Sequence, residues 1–442
     1  MRNFTFKGLF LTAVFALLWS LTIQAAEDGL ITKQITIKLK EAGTLPDRID
    51  ASKKYLITNL KLVGEINGTD WKMIREMAGS NYNGYSTEGK LSTLDLSEAK
   101  IVKGGDSYYS GDNCYTSNDE IGEYAFHDCS GLTSLTLPAG ITRIGSYAFE
   151  GCSGLTSLTL PDGITEIGEY AFYSCSGLMS LTLPTGITSI GEYAFMGCSG
   201  LTSLTLPASI TSIGEYAFYG CSGLTSLTLP VGITSISNGA FMGCSGLTSL
   251  TLHAGITSIG ISAFAYCSGL TSLTLPAGIT SISNGAFKGC SGLTSLTLPA
   301  GITSIGDVAF SGCSGLTSLI LPASITSIGS YAFSSCSGLT SIYVYPDIVP
   351  KMGSDVFYDV DKKNCTLYVP QGTKQDYFLA DIWGDFENIV EYDPTGIDKT
   401  TTSTDVEEVS RYSVNGQRLV GPTKGLNIVK YSDGSVKKVA VQ

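Results

Sequence analysis

Twelve cysteines are the most conspicuous reactive groups of this chain, and ten of them recur at intervals of 23 residues: Cys129, Cys152, Cys175, Cys198, Cys221, Cys244, Cys267, Cys290, Cys313 and Cys336. In an exported protein such a count can indicate disulfides, and a step of ~5 Å between stacked units lies within the Cα separation that a disulfide allows. Equivalent side chains of stacked units point in parallel, however, whereas disulfide partners converge. We therefore favour a ladder of buried thiols over disulfides, because cysteine is also a good small hydrophobic residue.

Metal binding and acid–base catalysis both lack a suitable cluster of residues. Parallel thiols cannot surround one zinc ion tetrahedrally, and Cys114 and Cys365 lie too far apart to pair. The only two histidines, His127 and His253, occupy different positions in repeats five units apart, and His253 stands where most repeats carry proline. Catalysis requires a titratable pair, and a nucleophilic serine requires a nearby base. We predict no catalytic residues, no metal site and no cofactor, and hence a non-enzymatic protein.

The composition excludes two further classes of protein. The chain has 442 residues, of which 43% are apolar and 15% charged, with a formal net charge of −12. So much apolar material argues against a disordered acidic chain. The acidic balance and the lack of a basic stretch argue against nucleic acid as a partner.

The first 26 residues have the pattern of a secretory signal peptide. Arg2 and Lys7 precede a short apolar run, Leu9 to Ile23, which is followed by the small residues Ala25 and Ala26. The run is short for a transmembrane helix, although a retained signal anchor is the alternative. No later stretch resembles a transmembrane segment, so we expect an exported protein at the cell surface or outside the cell, associated with the outer membrane.

Residues 121–350 form ten consecutive units of 23 residues, which is the signature of a solenoid. In the first unit Leu135 and Leu137 alternate with Ser134 and Thr136, which predicts a strand with its leucines inward. Ile141, Ile144 and Phe149 are spaced like a short helical or 3₁₀ segment that returns over the core. One unit buries too little apolar surface to offset its loss of backbone entropy, so stability must come from stacking.

The repeat pattern L-x-x-L-x-L-P-x-x-I-x-x-I-G-x-x-A-F-x-x-C resembles the 23-residue leucine-rich repeats of BspA-like bacterial surface proteins. The resemblance implies an α/β solenoid with one long parallel β-sheet on its concave face and a cap at each end. It extends to residues 27–120, which are similar to the N-terminal cap of that family, and to residues 351–392, which are similar to a degenerate last repeat and a closing cap.

Beyond the caps the sequence predicts a linker and a small β-rich tail. Residues 393–405 are polar and turn-rich, as a linker is. Residues 406–442 read as short strands with turns at Asn415-Gly416 and Asp433-Gly434. This tail resembles the C-terminal β-segments of exported Bacteroidetes-type proteins, some of which are sorting domains.

The family resemblance implies adhesion, with host extracellular proteins, cells or glycans as partners; a surface protein that captures polysaccharide for nutrient uptake is the alternative. Two candidate binding surfaces follow from the residues. The first is the columns of hydroxyl side chains on the concave face, in the first four units Ser134, Thr136, Ser157, Thr159, Ser180, Thr182, Ser203 and Thr205. The second is the tyrosine-rich segment of the N-terminal cap, with Tyr108, Tyr109 and Tyr115, although such a loop can instead pack over the first strand. The monotony of the columns also fits recent duplication without a selected ligand, and the ligand and oligomeric state stay open.

Overall fold

The computed structural model describes residues 29–111, 114–346, 348–392, 408–414, 416–421, 424–431 and 436–441. The predicted signal peptide at residues 1–26 and the predicted linker at residues 393–405 lie outside the described residues. None of the helices in the described ranges has the length and apolar character needed to cross a membrane.

Each 23-residue unit contributes two short parallel strands. The strands that form the first sheet, one from each unit, are β7 Ser134–Thr136, β9 Ser157–Thr159, β11 Ser180–Thr182, β13 Ser203–Thr205, β15 Ser226–Thr228, β17 Ser249–Thr251, β19 Ser272–Thr274, β21 Ser295–Thr297, β23 Ser318–Leu321 and β25 Ser341–Val344. The other strand of each unit lies at the start of the unit, and one further strand follows the tenth unit: β6 Glu120–Ile121, β8 Arg143–Ile144, β10 Glu166–Ile167, β12 Ser189–Ile190, β14 Ser212–Ile213, β16 Ser235–Ile236, β18 Ser258–Ile259, β20 Ser281–Ile282, β22 Ser304–Ile305, β24 Ser327–Ile328 and, after the last unit, β26 Lys351–Met352.

Identical residues of neighbouring units stack in register, and this stacking forms the core. Leu135 pairs with Leu158 across β7 and β9, and both leucines are buried as the strand alternation predicts. The repeat phenylalanines form a ladder of nearly parallel rings. The ring centroid of Phe218 lies 5.2 Å from that of Phe195 and 5.4 Å from that of Phe241. Burying one such side chain contributes about 1.5–3 kcal/mol. Because most of that area is covered by the neighbouring units, a single unit would be unstable alone.

The segment that returns over the core forms turns instead of the predicted short helical or 3₁₀ segment. In the first unit the amide of His127 donates to the carbonyl of Tyr124 at 3.1 Å, and that of Cys129 donates to Phe126 at 2.9 Å. Tyr124 has a φ of 55° and Asp128 a φ of 56°, which lie in the left-handed region and interrupt a right-handed helix. Other amides of this segment bond to the next unit, as Phe126 does to Ala148 at 2.7 Å. The turns therefore add another line of contact between units.

The strands of the first sheet keep one register, but their hydrogen-bonded ladder is divided into sections. β1, β2, β3, β7, β9, β11 and β13 form one seven-stranded section, with β1 at Ile35–Lys38, β2 at Asn59–Ile66 and β3 at Thr93–Ile101. The following sections are β15–β17, β19–β21 and β23–β25–β27–β28, with β27 at Thr366–Pro370 and β28 at Asn388–Tyr392. At the three breaks the strand leucines Leu204, Leu250 and Leu296 are only partly buried, whereas those of the other units are buried. With three residues a strand, a small change in spacing is enough to separate neighbours.

The N-terminal cap continues the first sheet and covers its end with a helix. Helix α1, Gly68–Met77, is capped by Asn67, whose side chain accepts from the Thr69 amide while the Asp70 carboxylate accepts from the Asn67 amide. Trp71 of α1 contacts Phe126 at 5.2 Å between ring centroids, and its indole NH donates to the carbonyl of Ala125 at 2.8 Å. The cap also contains the antiparallel strands β4 Gly104–Tyr109 and β5 Cys114–Thr116, and a 3₁₀ turn at Leu45–Asp47.

The C-terminal cap closes the other end in the same manner. It comprises β27 Thr366–Pro370, helix α2 Lys374–Leu379, a 3₁₀ turn at Trp383–Asp385 and β28 Asn388–Tyr392. Trp383 is buried against Phe357, the last ring of the ladder, at 5.5 Å. A tryptophan therefore terminates the phenylalanine ladder at each end, where a flat ring would otherwise face water.

The C-terminal tail forms a separate antiparallel sheet in the order β30–β29–β31–β32. Its strands are β29 Glu408–Ser413, β30 Arg418–Leu419, β31 Gly425–Tyr431 and β32 Val436–Val441. The structure thus contains the β-rich tail that the sequence predicts. The predicted turn at Gly416 is described, with a φ of 80°, whereas the one at Asp433-Gly434 lies outside the described residues.

Candidate functional site

The first candidate site is the hydroxyl face, which we define as the Ser and Thr side chains of β7, β9, β11 and β13. Its eight residues are Ser134, Thr136, Ser157, Thr159, Ser180, Thr182, Ser203 and Thr205, and all eight are exposed. The strands pair in register, so Ser134 lies beside Ser157 and Thr136 beside Thr159. Neighbouring strands of a sheet are ~4.8 Å apart, so the face presents two parallel rows of hydroxyls at that spacing.

A second row of threonines, just before the strands, is already engaged within the protein. The hydroxyl of Thr156 donates to the carbonyl oxygen of Thr133 at 3.3 Å, and the hydroxyl of Thr248 donates to the carbonyl oxygen of Thr225 at 3.1 Å. For the eight residues of the hydroxyl face, no hydrogen bond from the side chain is formed within the described part of the chain. The threonines before the strands therefore stabilise the stacking of the units, whereas the residues of the hydroxyl face are available to a ligand.

The cysteines that dominate the sequence are buried thiols, as we expected from the parallel geometry. All twelve are buried, and none of them forms a disulfide. In nine ladder units the Sγ–H donates to the carbonyl of the phenylalanine in the preceding unit, as Cys198 does to Phe172 at 3.1 Å. Burial raises the pKa of Cys198 to about 12. These thiols hold neighbouring units together and are poor nucleophiles.

The tyrosines of the N-terminal cap do not form one exposed surface. Tyr108 is only 1% exposed and its hydroxyl donates to the carbonyl of Glu123 at 2.8 Å, so the expectation that it is exposed to a ligand is wrong. Tyr109 is partly buried and stacks on Tyr124 at 4.6 Å. Tyr115 is 56% exposed. The ring of a tyrosine is largely apolar and packs well in a protein interior. In this segment the rings of Tyr108 and Tyr109 pack against the rest of the protein, and only Tyr115 is exposed.

The two histidines have separate surroundings, as the sequence indicates. His127 lies in the turn of the first unit, with ring nitrogens 3.4 Å from Asp128 and 3.5 Å from Glu150, and burial lowers its pKa. The Nε2 of His253 lies 3.0 Å from the carbonyl oxygen of Pro230. Among the described residues, no group of three or more His, Cys, Asp and Glu side chains is arranged to hold a metal ion.

The sequence reasoning missed a second surface, where the tail covers the first sheet at the last three units. The Thr column of the hydroxyl face changes there to Ile320 and Tyr343, and the Pro column to Tyr345. Gly416 of the tail lies against Thr297 and Ile320, and the Lys438 ammonium lies 5.4 Å from the ring centroid of Tyr345. The break in the hydroxyl columns was the available signal; in isolation it resembles ordinary decay of a terminal repeat.

Comparison with known protein families identifies the type of the repeats. The model of the BspA type leucine rich repeat region matches in six copies, over residues 119–248, 189–280 and 257–374, which together make up more than half of the chain. No curated protein matches the sequence.

Solved structures of bacterial leucine-rich repeat proteins are similar to this fold. One from Bacteroides ovatus has a TM-score of 0.55 and 23% identity, covering 83% of this chain and 93% of its own. A leucine-rich repeat protein of T. pallidum has a TM-score of 0.34 and 35% identity, covering 37% of this chain and 75% of its own. A leucine rich cell surface protein from Faecalibacterium prausnitzii has a TM-score of 0.39 and 27% identity, and the match covers 70% of this chain and 87% of its own. With its stacked 23-residue units, its capped ends and the family match over residues 119–374, the chain belongs to the BspA-type leucine-rich repeat family.

Proposed function

We propose that this protein is a non-enzymatic cell-surface adhesin, which binds extracellular proteins, cells or glycans through the hydroxyl face. The observation that carries the proposal is the register of the exposed serine and threonine rows from β7 to β13. Uncharged hydroxyls at a constant spacing complement a ligand that itself repeats.

Avidity is the physical basis of such binding. One hydrogen bond from a surface hydroxyl contributes only about 1 kcal/mol. Contacts in series raise the overall affinity, because after the first contact the others form at high effective concentration. We therefore expect a graded dependence of affinity on the number of units, without one dominant residue.

The chemistry of the same face supports binding rather than catalysis. The strand positions "LTSLTLP" and their variants contain no Asp, Glu, Lys or Arg in any of the ten units. A proton-transfer step has no donor or acceptor of suitable pKa there. Export to the surface is part of the proposal, and its support is the N-terminal pattern of Arg2, Lys7 and the apolar run up to Ile23.

The proposal is tested by removing hydroxyls without changing shape. Thr136, Thr159 and Thr182 are each replaced by Val, which has nearly the same volume. Binding of the chain without residues 1–26 is then measured against immobilised host matrix proteins and a polysaccharide array. We expect weaker binding by the triple variant. Tyr115→Ser, which changes an exposed residue of the N-terminal cap, is the matched control and should bind as before.

Deleting residues 213–258 provides the second measurement. The cut removes two whole periods, so the caps and the register are kept. It also removes Ser226, Thr228, Ser249 and Thr251, exposed residues that continue the two rows of the hydroxyl face beyond β13. Affinity should fall gradually with the loss of contacts. If Tyr115→Ser abolishes binding while the deletion and the triple variant leave it intact, the N-terminal cap is the binding site and the proposal is wrong. Selective, tight binding of one dietary polysaccharide would instead identify a capture protein for nutrient uptake.

A further inference from the structure

The tail and the last three units enclose a cavity of about 340 Å³. This volume lies in the range of about 300–1,000 Å³ that is typical of small-molecule sites. The repeats contribute Tyr343 and Tyr345 to its lining, and the C-terminal cap contributes Tyr392. The tail contributes Tyr412, Arg418 and Lys430. Segments far apart in the sequence therefore meet around one concave space.

Aromatic rings form one wall of this cavity. Tyr343 stacks on Tyr368 with 4.4 Å between ring centroids, and Tyr392 meets Tyr343 and Tyr345 edge to face at 6.1 and 5.7 Å. Burial raises the pKa of the Tyr343 and Tyr392 hydroxyls above the usual value, so both rings stay neutral. Fixed, neutral tyrosines offer flat apolar faces together with hydroxyl groups.

Serine and threonine side chains from three consecutive strands form the floor. Ser295, Ser318 and Ser341 occupy one column of the first sheet, and all three line the cavity. This floor continues the serine row of the hydroxyl face. It differs from the earlier units because Ile320 and Tyr343 replace the adjacent threonines, which makes the floor partly apolar.

The charged lining residues of the cavity, Arg418 and Lys430, are both cationic, in a chain whose net charge is −12. Neither forms an ion pair with a carboxylate among the described residues, whereas the nearby Arg411 is paired with Glu408 at 2.7 Å. Lys438, at the ring of Tyr345, adds a third positive charge beside the cavity. The region is therefore suited to an anion.

We propose that this cavity binds an acidic sugar, a ring that carries a carboxylate or a sulfate. The apolar C–H face of a sugar ring suits the tyrosine wall, and its hydroxyls suit the serine floor. The planar guanidinium of Arg418 matches a carboxylate or sulfate with two parallel hydrogen bonds. This inference goes beyond the proposed function, because the cavity is a second binding site, distinct from the hydroxyl face of the first four units.

Calorimetric titration of the chain without residues 1–26 tests the inference. The probes are trigalacturonic acid, a sulfated chondroitin disaccharide, the neutral maltotriose and a tetraglutamate peptide. We expect binding of one or both acidic sugars, weakened by added salt, and none of maltotriose or the peptide. The two acidic probes distinguish a carboxylate from a sulfate as the group recognised.

Three variants locate the binding. Arg418→Gln should weaken it about tenfold, as the loss of a charge-assisted hydrogen bond does. Tyr345→Leu keeps an apolar side chain but removes the flat ring, and should also weaken binding. Lys424→Gln is the matched control, because Lys424 is an exposed cation of the same tail that does not line the cavity, and its variant should bind normally.

Several results would overturn the inference: no binding of either acidic sugar, equal binding of maltotriose, binding of tetraglutamate alone, or the same loss with Lys424→Gln as with Arg418→Gln. Deletion of residues 213–258 leaves every cavity residue in place. If that deletion weakens binding to extracellular ligands but not to the acidic sugar, the two sites are separate. Failure at the cavity alone would leave the proposed function standing.

Discussion

Replacing Gly200 by alanine tests how closely the units approach each other. All ten units have glycine at this position. A Cβ on Gly200 would lie 2.4 Å from the carbonyl oxygen of Ser176 and 3.3 Å from that of Leu178, both in the preceding unit. Ordinary van der Waals contact begins near 3.4 Å, so the new methyl group would overlap backbone by about 1 Å. The backbone of a stacked unit cannot rotate away as a side chain can.

The magnitude follows from two opposing effects. Overpacking a tight site costs about 1–3 kcal/mol. Alanine also restricts the unfolded chain, which stabilises the protein by about 0.4–1 kcal/mol. Because the overlap is with rigid backbone, we expect the packing cost to lie at its upper end. The free energy of unfolding should therefore fall by about 2 kcal/mol.

Gly301→Ala is the matched control. No heavy atom lies within 4 Å of a Cβ built on Gly301, and its φ is not in the left-handed region. The equivalent positions of two other units carry Ser209 and Ser324, so a side chain is tolerated there. This variant should be unchanged or more stable by up to about 1 kcal/mol.

Urea titration followed by circular dichroism measures both variants. For a chain of this size, the expected fall in the free energy of unfolding of Gly200→Ala lowers the urea concentration at the midpoint of unfolding by about 0.5 M. Alkylation of the adjacent Cys198 in the native protein gives a local readout, since separation of the units would expose it. If the free energies of unfolding of the two variants agree within about 0.5 kcal/mol and Cys198 stays unreactive, the close approach of the units is refuted.

Two further predictions concern the thiols and the tail. Iodoacetamide at pH 8 should label none of the ten ladder thiols in the native protein and all ten after denaturation, because burial raises the pKa of thiols such as Cys198 to about 12; paired cysteines in the native protein, counted by mass, would contradict the parallel ladder. Deleting residues 405–442 should abolish surface display and leave the protein in the periplasm if the tail is a sorting signal. Normal display of the shortened chain would show that the tail has another role.

The repeats were predictable because each unit specifies its own geometry. The alternation of Ser134, Leu135 and Thr136 assigns each side chain to a face, and the period of 23 residues brings equal residues together. The burial of Leu135 and Cys198 and the exposure of Ser134 follow from this pattern, and the structure confirms them. The predicted short helical or 3₁₀ segment was wrong, since spacing alone does not show that Tyr124 adopts a left-handed φ of 55°.

The sequence by itself determined the solenoid and the hydroxyl rows, because both depend on local alternation and a fixed period, whereas the caps were expected from the family resemblance alone. Only the tertiary structure decided that Tyr108 is buried beneath the turn of the first unit and that Tyr345 and Arg418 share a cavity. These contacts join segments with no common period, so no spacing encodes them. They arise where a cap or the tail meets the sheet, and the shapes of the packed surfaces determine which side chains are covered.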